Sequence, residues 1–162
     1  MLQIIKSKIQ TWEQIGKTTK TWKAEGQKVV FTNGCFDILH YGHIHYLAQA
    51  RSLGDKLVIG LNSKGSVKRL KGNNRPINDD NTRLYLLAAL QFVDGVVIFE
   101  EDTPLGLIKV VMPDILVKGG DYSIENIVGA KEVLKNRGQV KSLAFVEGYS
   151  TTAIENKLKS AS

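Results

Sequence analysis

His40 and His43 stand three residues apart around Tyr41-Gly42, in the run Asn33-Gly-Cys-Phe-Asp-Ile-Leu-His-Tyr-Gly-His43. At that spacing, near a helix start, two side chains share one face. Imidazoles so placed donate hydrogen bonds to phosphate oxygens and stabilise charge at a crowded phosphorus centre. Gly42 between them leaves room for a bulky group to approach the backbone. His45 is about 200° round the helix from His43 and should face away. Without an acidic or third histidine ligand on that face, phosphate work is favoured over metal ligation.

Three further clusters carry polar chemistry. Residues 64–75, Lys-Gly-Ser-Val-Lys-Arg-Leu-Lys-Gly-Asn-Asn-Arg, hold five positive charges and no negative one. They read as a basic loop in which Lys68 and Lys71 could meet phosphates, and such loops often act as lids. Lys118-Gly-Gly-Asp121 offers a cation and an acceptor, Asp121, for a ribose or base. Gly148-Tyr-Ser-Thr-Thr152 opens a helix, and Ser150, Thr151 and Thr152 together with free backbone N–H groups suit an anion. Thr152 with Glu155 has the spacing of a capping box. Asp37 could orient a histidine, hold a magnesium-bound water or cap a helix. Cys35 has no base assigned to it, so a nucleophilic role is disfavoured. Gly60 to Gly65 has a phosphate-loop spacing, but Ser66 stands where the lysine is required.

The elements that must position these clusters alternate along the chain. Val29–Thr32, Leu57–Leu61, Val96–Phe99, Ile115–Lys118 and Val140–Val146 are apolar, β-branched runs that read as strands. Between and after them, 43–53, 81–92, a stretch from Thr103-Pro104 to Pro113, 127–136 and 152–159 have helical spacing, with Thr103 as cap and Pro104 at the first position. Five apolar strands separated by helices predict a parallel sheet covered on both faces. The fold expected is α/β, a single doubly wound Rossmann-like domain with a five-stranded parallel sheet. Residues 1–26, polar and carrying Trp12 and Trp22, are expected to form a short helical extension, with the main domain at 27–162. In doubly wound sheets ligands bind beyond the carboxyl ends of the strands. All four clusters fall there, so they should converge on one polyphosphate site.

Composition sets the outer bounds. A chain of 162 residues with 43% hydrophobic and 23% charged residues buries a core and is not disordered in bulk. Its apolar runs are too short for a membrane span, and its first residues lack the pattern of a secretory leader. A single cysteine excludes an internal disulfide, and a cytoplasmic setting is expected. The net charge of +6 suits an anionic partner. A nucleic-acid module would interleave aromatics with the basic residues, and 64–75 has none. Neither nucleic acid nor membrane is therefore expected as a partner, while a homodimer stays open.

Taken together, Asn33–His43 resembles the HxGH signature of the cytidylyltransferase-like nucleotidyltransferases. From about Lys28 to Lys159 the chain is similar to the heptose 1-phosphate adenylyltransferases. That likeness rests on Asn62-Ser63, Ser66–Gly72, Arg75-Pro76, Phe99–Pro104, Pro113–Tyr122 and Gly148–Thr152. In that family the domain is often fused behind a sugar kinase; none is present here, so the stand-alone form is expected. The resemblance implies adenylyl transfer from ATP to a sugar 1-phosphate, giving an ADP-sugar and pyrophosphate, with Mg2+. It implies that His40 and His43 grip the α- and β-phosphates, with Lys71, and Lys68 beside it, on the incoming or leaving phosphates. Ser150, Thr151 and Thr152 would hold the β,γ-phosphates. Cys35 and Phe36 would line the nucleotide through backbone groups, and Lys118 and Asp121 would meet the nucleoside. Two positions depart from the pattern: Lys64 replaces a common aspartate, and Phe145 stands where glycerol 3-phosphate cytidylyltransferases carry an arginine. The second departure favours ATP over CTP. The alternative within enzymes is a nucleotidyltransferase of the glycerol 3-phosphate cytidylyltransferase or FAD synthetase type.

Overall fold

A computed structural model describes residues 1–161. Five strands, β1 (Val29–Gly34), β2 (Lys56–Asn62), β3 (Gly95–Phe99), β4 (Ile115–Gly119) and β5 (Gln139–Leu143), pair in parallel in the order β3-β2-β1-β4-β5. The helices are α1 (Leu2–Lys8), α2 (Trp12–Ala24), α3 (Tyr41–Arg51), α4 (Lys64–Lys71), α5 (Asp80–Ala88), α6 (Leu105–Val111), α7 (Ala130–Lys135) and α8 (Thr151–Ser160). A short 3₁₀ turn spans Ile124–Asn126. The expected doubly wound α/β sheet is present. Its strand order reverses between β1 and β4, and in such sheets the ligand crevice opens at that point.

Alternation along each strand divides the core. Val30, Leu57, Ile59, Val96 and Val117 pack with Leu47 of α3 and Leu87 of α5 on one face. Phe31, Val58, Val97 and Leu116 pack with Ile15 of α2, Leu107 of α6 and Val133 of α7 on the other. Burial on both faces explains why the strands read as continuous apolar runs. The N-terminal helices join this core. Ile15 is fully buried, and Trp12 Nε1 donates to the Ile98 carbonyl at 3.0 Å. At the amino ends of the strands, the carboxylates of Asp55, Asp94 and Asp114 accept the backbone N–H groups of Lys28, Leu57 and Val29, each at 2.8 Å. Among the described residues no helix is long and apolar enough to cross a membrane.

Several local expectations are corrected. The basic segment 64–75 is not a loop throughout: Lys64–Lys71 is helix α4, and only the stretch from Gly72 is irregular. Ser63 caps it by accepting from the Ser66 N–H, while Ser66 and Val67 are fully buried, so one face of the segment has a core role. Thr103 does not cap α6; Pro104 occupies the N-cap position itself. Thr152 and Glu155 form no capping box, because Ser150 caps α8 by accepting from the Ala153 N–H at 3.0 Å. The helix expected from Ile127 begins only at Ala130, because Gly129 adopts a left-handed conformation at φ 86°. The helix over 81–92 ends at Ala88, and β5 ends at Leu143 rather than Val146.

Candidate active site

Asn33, Gly34, Cys35 and Phe36 leave the end of β1 and form the floor of a cleft of about 450 Å³. His43 of α3, Lys71 of α4, Lys118 of β4 and Thr151 of α8 line the same cleft, with Asp102, Tyr122 and Phe145 at its edges. Four segments remote in sequence thus meet at the strand-order reversal.

The histidines behave as a pair. Their rings stack with centroids 3.8 Å apart and planes 21° apart. The edge of Phe36, in the left-handed region at φ 43°, packs against His43 at 5.3 Å. A side chain at Gly42 would meet the His40 ring and Tyr149, both at 3.1 Å, so this glycine admits the stacked arrangement. Burial, with help from His40 and Lys71, lowers the His43 pKa to about 4, partly countered by the Ile38 carbonyl. Burial also lowers that of His40. Both rings are therefore neutral at neutral pH, and neutral rings stack without charge repulsion. Their Nδ1 atoms are buried without a hydrogen-bond partner. Neither His40 nor His45 lines the cleft: His40 is stacked against His43, and His45 packs beside Tyr41, 5.8 Å between centroids.

Of the remaining expected site residues, some converge and some do not. Lys71 reaches the cleft from the last turn of α4, whereas Lys68, one turn earlier, is exposed and does not line it. Lys118 does line it, its Nζ 5.8 Å from the Tyr122 ring centre and its pKa lowered by burial. Asp121 is exposed outside the lining, and its neighbour Tyr122 takes that wall. The Ser150 hydroxyl is engaged in capping and Thr152 is exposed, which leaves Thr151 as the cleft hydroxyl of this trio. Burial raises the Cys35 thiol pKa, against the pull of Lys71, Arg83 and Lys118, so the group stays protonated. Its carbonyl accepts from Arg83 at 2.8 Å. Gly119 packs so closely under Phe145 that an added Cβ would lie 2.6 Å from its ring. Phe145 itself is 63% exposed, which leaves a large apolar ring free at the cleft edge.

Arg83 and Tyr46 were not recognised from the sequence as supporting groups, and Asp37 was given other roles. Arg83 is fully buried and donates to the carbonyls of Cys35 and Asn62, both at 2.8 Å, and to Asp80 at 2.6 Å. It ties the ends of β1 and β2 together. Its signal was a cation at Leu87 minus four, on the apolar face of a helix. Asp37 neither orients a histidine nor caps a helix: it is 3% exposed and accepts the backbone N–H groups of Ile77 and Asn78 at 2.8 Å. Tyr46 shares a 2.6 Å hydrogen bond with Thr32 beneath the cleft, and burial pushes its phenol up to about 12.

The cytidylyltransferase-like family model matches residues 31–157, the span that contains every wall of this cleft. The chain belongs to that family. The expectation of a nucleotidyltransferase, drawn from His40 to His43, is met at this level. Among curated relatives, bifunctional protein HldE of Nitratiruptor sp. is 55% identical over 94% of this chain. The protein of the same name from Campylobacter fetus is 60% identical over 83%. The chain spans only 32% and 28% of those relatives, about a third of their length. A solved lipopolysaccharide core biosynthesis protein from Thermoplasma volcanium is 34% identical, with a TM-score of 0.60, over 77% of this chain and all of that one. Pantoate-beta-alanine ligase from Francisella tularensis, 15% identical with a TM-score of 0.57 over 93% of this chain and 76% of that one, shares the fold.

Proposed function

We propose that the protein is an adenylyltransferase that joins ATP and a heptose 1-phosphate, giving ADP-heptose and pyrophosphate. The observation that carries this reading is the meeting of His43, Lys71, Lys118 and Thr151 in one cleft, with His40 stacked behind His43. An oxygen of the sugar phosphate attacks the α-phosphorus of ATP. The bond from that phosphorus to the β-bridging oxygen breaks, and pyrophosphate leaves with its electron pair. The nucleophile is already ionised at neutral pH, so no general base is required. Catalysis then rests on alignment and charge neutralisation.

Each residue has a role in this reading. His40 and His43 donate to the α- and β-phosphate oxygens. Lys71 neutralises the incoming or leaving phosphates, with Lys68 as a second cation one turn away. Thr151 and the first N–H groups of α8 hold the β,γ end, helped by the helix dipole. Phe145 and the Gly119-Gly120 backbone form the surface for the adenine, with Asp121 at the nucleoside edge. Among the described residues no group of three or more His, Cys, Asp or Glu side chains could hold a metal ion. Magnesium would be carried by the ATP phosphates, where it would screen their charge. The assignment of 27–162 as the transferase domain behind a helical extension, and a cytoplasmic setting, belong to the same proposal.

In this reading the acceptor takes a side chamber of about 230 Å³ that shares Asn33, Pro104, Lys118, Tyr122 and Val128 with the main cleft and adds Asn126 beside the apolar Leu116, Val117 and Ile127. No carboxylate lines it. A cationic head such as choline would find no counter-charge there, whereas amides and a phenol suit a neutral polyol. Pyrophosphate release measured across ATP, CTP, GTP and UTP with a panel of phosphorylated acceptors tests the reading. Turnover with ATP and heptose 1-phosphate is expected. A preference for CTP, or for glycerol 3-phosphate as acceptor, would move the chain to the sister activity.

A further inference from the structure

Helix α8 lies on the surface of the domain. Not one of its side chains is fully buried, yet its first turn supplies Thr151 to the cleft. A polyphosphate site cannot rely on a helix end whose position wanders, because near-attack geometry is lost with displacements of about 1 Å. With no fully buried side chain, α8 gains from any polar contact that fixes its first turns.

Arg75 is placed to do this. Its side chain is 13% exposed, and its Nη1 lies 2.7 Å from Glu155 Oε1 of α8 and 3.2 Å from Asp37 Oδ2. The Asp37 side chain is 2% exposed and is itself fixed by the Ile77 and Asn78 N–H groups, while Asn78 Nδ2 donates to the Asp37 carbonyl. One guanidinium thus joins the loop after β1, the irregular segment that follows α4 and the second turn of α8. Glu155 lies four residues after Thr151, on the same face of the helix. Arg75 and Glu155 touch neither histidine nor Lys71 in any hydrogen bond, and neither lines the cleft.

We infer that Arg75 and Glu155 form a strap that positions the N-terminus of α8 over the β,γ-phosphates, so that they are positioning residues for polyphosphate recognition. The inference rests on the proposed adenylyltransferase reading for the identity of the anion. The strap acts on the phosphate tail alone. The nucleoside end of the cleft, at Gly119 and Phe145, is built on β4 and the segment after β5.

The test is calorimetric titration of the full chain with MgATP and, separately, with AMP, which lacks the β,γ-phosphates. The variants are Glu155→Ala, which keeps a good helix former on an exposed helix, and Glu155→Gln, whose amide oxygen still accepts from Arg75. Glu155→Ala should weaken MgATP about threefold to tenfold, the usual range for loss of a coupled contact. It should leave AMP binding unchanged, and Glu155→Gln should recover part of the loss. Hydrogen exchange over 151–160 without nucleotide should rise in Glu155→Ala and in Arg75→Ala alike. Equal MgATP affinity in wild type and Glu155→Ala would overturn the strap, as would parallel loss of MgATP and AMP. Unchanged exchange in α8 would also overturn it. Wild-type protein that binds no ATP, with α8 exchange still dependent on Arg75, would leave the strap standing and overturn the adenylyltransferase reading.

Discussion

Acidification should tighten ATP binding through His43. Buried beside His40 and Lys71, this imidazole titrates at about 4 in the free protein. A polyphosphate against it supplies negative charge and returns it toward the ordinary value of about 6.5. Between those values the complex binds a proton that the free protein does not, so lowering the pH favours the complex. At pH 6 binding should take up about three-quarters of a proton per site, and at pH 7.5 about a tenth. From pH 7.5 to 5.5 the affinity should rise about tenfold through this group, or about 1.4 kcal/mol. Calorimetry in buffers of different ionisation enthalpy measures the uptake directly. His43→Asn removes the titrating ring, and its profile gives the share that belongs to ATP itself. Identical proton uptake in wild type and His43→Asn would refute the placement of His43 against the phosphates. The same pKa makes a second sign testable. The unfolded chain protonates His43 near 6.5 and the native state only near 4, so native stability is intact above about pH 6.5 and declines as the pH falls toward 4. The share of this group is at most about 3 kcal/mol, reduced by solvent at its exposed edge, and urea titrations of His43→Asn should show a flatter acid limb.

Three other outcomes follow from the framework. Val67→Ala, at a fully buried position on α4, should cost about 2 kcal/mol in urea denaturation, whereas a lid segment would tolerate it. Hydrogen exchange without nucleotide should show protection at 67–71 and little at 73–74, and uniform fast exchange over 64–75 would restore the loop reading. Arg83→Met should lower stability by about 3 kcal/mol, because the buried carbonyls of Cys35 and Asn62 lose their donor. A change under about 0.5 kcal/mol would show that solvent replaces it.

The sheet was legible because each strand is a short apolar run, and four of the five runs end near a cluster of glycine with polar or charged residues. Placing those clusters beyond strand ends needed only the parallel-sheet rule, and the meeting of His43, Lys71, Lys118 and Thr151 follows it. Side-chain direction was harder to read. Lys68 and Lys71 are alike in sequence, but α4 turns only the second into the cleft. Ser150 and Thr152 flank Thr151 yet serve as cap and solvent face. Helix α4 was hidden by its four cations, although Ser63, Ser66 and Val67 carry the cap and the buried face. Arg83 and the Arg75–Asp37–Glu155 cluster depend on partners up to 80 residues apart in sequence, Arg75 and Glu155, and no local pattern records such a pairing.

The most direct test is the rate of pyrophosphate formation from MgATP and heptose 1-phosphate in three histidine variants of the full chain. His40→Ala and His43→Ala each remove a donor to the reacting phosphates, which should cost about 3 kcal/mol in the transition state and slow turnover about 10²- to 10³-fold. His45→Ala, on the other side of the helix, should turn over at nearly the wild-type rate. Near-wild-type rates in either of the first two, or an equal loss in all three, would contradict the assignment of His40 and His43 to the phosphate site.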